Sequence, residues 1–208
     1  MKGLLLKDWY LLRKAVVTYV VITLAFQAVP ASGGILTVLY AATLPASAFA
    51  YDDRSRWGDL AAMLPCSVRD IVLSRYLLGW GGCLFFNLTA LAGQVLFAAL
   101  LPNYMESRLF TGFPGFIMTL SVSLLFLAMT LPLNFRFDTE KSRIIRYVLL
   151  CLIAGASGSI LVIGGIEQRY AGGSVDAIFL WPVLLAVSVI LSAASVPLSM
   201  WAYRARRK

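Results

Sequence analysis

Five stretches of this chain contain no Asp, Glu, Lys, Arg or His: 15–51, 76–105, 109–135, 147–166 and 177–203. A helix needs only about 20 apolar residues to cross a hydrocarbon layer of roughly 30 Å. Inside lipid every backbone N–H and C=O must be satisfied within the protein, so blocks of this kind fold as helices. Charged residues make up 13% of the 208, about half the share of an ordinary soluble domain. The reading is an all-α, polytopic membrane protein with a single transmembrane domain over 1–208.

The first block is too long for one helix, and Pro30-Ala-Ser-Gly-Gly34 at its centre is a turn signal. Splitting it there gives six spans, near 15–30, 34–51, 71–101, 112–135, 146–166 and 177–203. Met1–Lys14 reads as a short interfacial helix with Leu5, Trp9, Leu12 and Val16 on one face. With a cytoplasmic N-terminus, sixteen of the eighteen Lys and Arg residues fall on the inner side, and only Arg108 and Arg169 fall outside. This asymmetry predicts an even number of crossings with both termini cytoplasmic. The net charge of +8 flanks the spans and forms no patch, so nucleic acid is not an expected partner.

The charge-free interior constrains chemistry. Intramembrane charges usually mark ion coupling or proton relays, and acid–base catalysis needs a titratable group at the reacting bond. Histidine is absent, and Cys66, Cys83 and Cys151 lack metal-ligand spacing. No Gly-x-x-x-x-Gly-Lys-[Ser/Thr] loop is present to cradle a nucleotide. The chain therefore reads as a non-enzyme without a cofactor of its own. Polar groups do occur at membrane depth. Asn87 and Gln94 are seven apart, so they share a helix face, with Cys83 one turn below. They serve either as glue between helices or as the lining of a pathway for an amphipathic substrate.

The segment 52–70 interrupts the apolar pattern. Trp57, Leu60, Ala61 and Leu64 recur at helical spacing. Pro65 stops that short helix, and Ser67 through Asp70 reads as a capping box that starts the next one. From Val68 to Leu101 a helix would run about 50 Å, so it tilts, projects into the cytosol, or breaks at Gly79-Trp-Gly-Gly82. The segment has the form of a lever joined to the third span. A solvated loop lying on lipid headgroups is the other reading.

Two stretches carry a family resemblance. WGDLAAMLPCSVRDIVLSRYLLG over 57–79 resembles the first cytoplasmic loop of small bacterial permeases of the ABC-2 type. LPLNFRFDTEKSR over 131–143 is similar to their second cytoplasmic loop, although Asp138 stands where the family often has glycine. The resemblance implies a permease subunit in the bacterial plasma membrane, paired with a second copy of itself or a related chain. Two separate ATPase subunits would bind ATP and magnesium and dock on the first loop. In that scheme Trp57, Leu60 and Leu64 anchor the coupling helix, which Pro65 terminates, while Asp59, Arg69 and Asp70 set polar register. Arg136, Lys141 and Arg143 form a second cytoplasmic contact or bind anionic lipids. The implied activity is export of an amphipathic cargo, membrane-active peptides among them. A non-transporting immunity or interaction subunit, holding a cytosolic partner by the same loop, is the alternative.

Overall fold

The computed structural model describes residues 2–28, 33–55, 57, 60, 63, 67–100, 112–137, 144, 145, 148 and 177–206. Five long helices account for nearly all of them: α1 (Lys2–Gln27), α2 (Gly33–Arg54), α3 (Val68–Leu100), α4 (Gly112–Arg136) and α5 (Ala177–Arg206). Four described stretches are long and apolar enough to cross a bilayer: Gly3–Gln27, Val68–Leu100, Gly115–Arg136 and Pro182–Ala205. Of the expected span at 146–166 only residue 148 is among the described residues.

The first apolar block divides into α1 and α2, as its central turn signal implies. The expected surface helix over 1–14 and the span after it are one continuous helix. The face carrying Leu12 and Val16 explains this, because both are buried in the core. Trp9 sits at the edge of that face and is exposed. At the start of α3, the Ser67 hydroxyl accepts a hydrogen bond from the Asp70 N–H at 3.1 Å, an N-cap at the predicted place. The helix then runs 33 residues without interruption through Gly79–Gly82. It is longer than the hydrocarbon layer is thick.

Helix α3 is the axis of the bundle and touches each of the other four described helices. Its buried side includes Val72, Tyr76, Cys83 and Phe86. Leu44 and Ala48 meet them from α2, and Leu124, Leu127 and Leu131 from α4.

Contacts along the helices fix their directions. Lys7 meets Asp52 while Tyr19 stacks on Tyr40, so α1 and α2 are antiparallel. Gly79 faces Leu127 and Asn87 faces Ser123, so α3 and α4 are antiparallel too. By contrast, Ser195 bonds Ala128 and Tyr203 packs edge-on to Phe135, so α4 and α5 run parallel. The start of α1, the end of α2, the start of α3 and the ends of α4 and α5 therefore gather at one end of the bundle. Arg54, Arg69, Arg136 and Arg204 are exposed there.

Candidate functional site

At the basic end, α1, α2 and α3 are tied together by charge. Arg75, on the second turn of α3, is buried. Its Nη1 lies 2.9 Å from Asp8 Oδ2 of α1, and its Nη2 hydrogen-bonds Asp52 Oδ2 of α2. Lys7 Nζ is 2.7 Å from Asp52 Oδ1 and 3.5 Å from Asp8 Oδ1. Two cations thus balance two anions. The set also has aromatic walls: Arg75 lies over Phe49 at 5.1 Å, and Lys7 lies 3.9 Å from the centre of the Trp57 ring.

Tyr76, adjacent to Arg75 in sequence, reaches the other way. Its hydroxyl lies 2.6 Å from Ser195 Oγ and 2.8 Å from Ser199 Oγ of α5. Ser195 in turn donates to the Ala128 carbonyl of α4 at 2.7 Å. Two consecutive residues at the foot of α3 thereby fasten all four neighbouring helices, Arg75 through ion pairs and Tyr76 through hydroxyls.

Trp57, Leu60 and Met63 are helical. Trp57 is half-buried, whereas Leu60 and Met63 are 53% and 83% exposed. Leu60 and Met63 are thus exposed apolar side chains in the segment between α2 and α3, whose Trp57 touches the charge cluster. Met63 is an addition that the sequence reading passed over. Arg69 is exposed and Asp70 half-buried in the first turn of α3. Arg136 ends α4 and lies over Trp201 at 5.6 Å and Phe137 at 5.9 Å. Asp59, Leu64, Pro65, Lys141 and Arg143 lie outside the described residues.

The membrane-depth polar residues are brought together in the opposite half of the bundle. Asn87 is buried, and its Nδ2 donates to the Cys83 carbonyl at 2.8 Å and to Ser123 Oγ at 3.3 Å. Cys83 itself is fully buried. Gln27 Nε2 donates to Thr37 Oγ1 at 3.4 Å, joining α1 to α2. Gln27, Thr37, Asn87, Gln94 and Thr119 surround a void of about 10 Å³, room for one water. Asn87 Oδ1 and Gln94 Oε1 have no hydrogen-bond partner among the described residues.

The sequence reading missed Lys7, Asp8, Asp52, Arg75 and Tyr76 as a set. One signal was present. Asp8 falls on the same helical stripe as Leu5 and Leu12, and a carboxylate on a core-facing stripe demands a cation from a neighbouring element. Which cation it meets depends on helix packing, which spacing along one helix does not reveal.

The family described as ABC-2 family transporter protein matches residues 3–204 of the chain. Neither a curated protein nor a solved structure matches it.

Proposed function

Since the chain belongs to the ABC-2 family of transporter membrane proteins, we propose that it is an ABC permease subunit of the bacterial plasma membrane. It moves an amphipathic cargo outward when a separate ATPase pushes on its first inner loop. The observation that carries this reading is the exposure of the apolar Leu60 and Met63 in the segment between α2 and α3, whose Trp57 touches a charge cluster that joins three helices. An exposed apolar patch rimmed by polar groups is the form of a docking site. Trp57 and Leu60 are the anchors, with Asp59, Leu64 and Pro65 completing the coupling segment and Arg69 and Asp70 its polar edge. Arg136, Lys141 and Arg143 form the second inner contact. ATP and magnesium belong to the ATPase, and two permeases share two such subunits.

Six crossings with both termini inside complete the proposal. Parallel α4 and α5 support it, because a connection from the foot of α4 at Arg136 has to return to the far end before α5 begins at Ala177. Cys83, Asn87 and Gln94 belong to the pathway wall. The spare acceptor oxygens of Asn87 and Gln94 support that role, since a donor on a passing cargo would find them unsatisfied.

Co-expression with the cognate ATPase tests the coupling. The expected result is a complex that copurifies and turns over ATP. Trp57→Glu with Leu60→Glu should leave the permease inserted and remove the complex, because truncating or repelling a few central anchors removes most of an interface's free energy. Full binding and export by that double variant would overturn the assignment. Asn87→Leu with Gln94→Leu is expected to abolish export, measured in proteoliposomes, while leaving assembly with the ATPase intact. Equal loss of folded protein would instead make these residues helix fasteners.

A further inference from the structure

The Lys7 ammonium is shared between the loop and the bundle. It sits 3.9 Å from the Trp57 ring centre, 2.7 Å from Asp52 and 3.5 Å from Asp8. Trp57 therefore cannot move without changing what Lys7 offers the two carboxylates. Arg75 bridges the same carboxylates, one on α1 and one on α2. The two are not served equally. Asp52 accepts hydrogen bonds from both Lys7 and Arg75. Asp8 has ion pairs instead, at 2.9 Å to Arg75 and 3.5 Å to Lys7, and its Oδ1 has no hydrogen-bond partner among the described residues, although Asp8 is almost fully buried. A planar guanidinium with five donors can redistribute between two such acceptors after a small slide of one helix.

We propose that Lys7, Asp8, Asp52 and Arg75 are a four-charge switch through which displacement of Trp57 changes the position of α1 relative to α3. In the arrangement described, Asp52 is the preferred acceptor. When Trp57 is drawn away, Lys7 is released toward Asp8, and Arg75 compensates at Asp52. The set remains neutral in both arrangements, so no uncompensated buried charge arises on the way. Two discrete packings of one interface, biased by a contact at its edge, are how a local push becomes a helix displacement. This rests on the reading of the 52–70 segment as the coupling loop, and names the joint by which that loop acts.

The test uses the full chain in lipid nanodiscs without any ATPase. Spin labels go on Tyr10→Cys of α1 and Leu77→Cys of α3, both exposed positions, in a background with Cys66, Cys83 and Cys151 changed to serine. Pulsed-dipolar spectroscopy then reads the distance between the helices. Trp57→Ala and Lys7→Gln should each shift the distance distribution in the same direction. The double variant should shift it no further than either single change, the non-additivity expected of residues in one linkage. Lys7 is the most exposed of the four, and Lys7→Gln leaves both Arg75 ion pairs in place, so the fold survives it. Lys7→Arg should restore the parent distribution. A shift with Lys7→Gln but none with Trp57→Ala would show that the loop is not wired to the switch. No shift with either, or full additivity in the double variant, would equally overturn the proposal. The ATPase is absent, so a failure of docking in the copurification experiment does not alter this result.

Discussion

A chain carrying Arg75→Ala is expected to lose about 3–5 kcal/mol of stability, the usual consequence of removing one partner from a buried ion pair. Arg75 pairs with two carboxylates from two helices, and its side chain is 5% exposed. Without it, Lys7 is the remaining cation of the set facing Asp8 and Asp52, and it lies 3.5 Å from the buried Asp8 carboxylate. Thermal unfolding of the detergent-solubilised chain measures the effect. Arg75→Lys should fall between the two, because one ammonium cannot reach both carboxylates as a fork does. A chain in which Lys7, Asp8, Asp52 and Arg75 are all replaced by apolar residues of similar volume should be more stable than Arg75→Ala, since no lone charge is left buried. If Arg75→Ala unfolds with the parent protein, the ion pairs contribute nothing to the joint.

The second large effect concerns two glycines, two residues apart on α3. A Cβ at Gly79 would lie 2.7 Å from Leu127 Cδ1 and 3.0 Å from Cδ2. Leu127 is fully buried in the core, so moving its side chain aside disturbs packed neighbours. Gly79→Val is therefore expected to push α3 and α4 apart at a cost of about 1–3 kcal/mol, the range for overpacked interiors. At Gly81 a Cβ meets nothing within 4 Å. Gly81→Ala should be neutral or stabilise by up to about 1 kcal/mol through helix propensity. The pair of melting curves checks both. Equal behaviour of the two variants would mean that α3 and α4 do not pack at the described distance.

The same glycines show what a sequence discloses. Gly79-Trp-Gly-Gly82 offered a place for a break as one of three ways to fit the long helix, yet the helix continues through it and Gly79 admits a neighbour. A glycine reads alike from sequence in either role, because the difference lies in a residue 48 positions away. The elements themselves were legible. Blocks without charge located the described helices, Pro30–Gly34 located the division between α1 and α2, and Ser67 located the start of α3. Those signals are local, set by lipid and by backbone capping. The charge cluster was legible only in Asp8 on its apolar stripe, because the set lies on three helices and Lys7, Asp52 and Arg75 each read alone as an ordinary flanking charge. Tyr76 was hidden for the same reason: its partners Ser195 and Ser199 are more than a hundred residues away.

The parallel pairing of α4 and α5 has a consequence for biogenesis. Antiparallel neighbours such as α1 and α2 can zip together as soon as the second emerges from the ribosome. Among the described helices, the mate of the α4 face around Ala128 is α5, which comes later in the chain. By this pairing the Ala128 carbonyl would lack the Ser195 donor until residues 137–176 have been synthesised and α5 enters the lipid. The foot of the bundle closes only then, when Ser195 and Ser199 reach Tyr76. A quality-control protease that surveys unfinished membrane proteins would find its window in that interval.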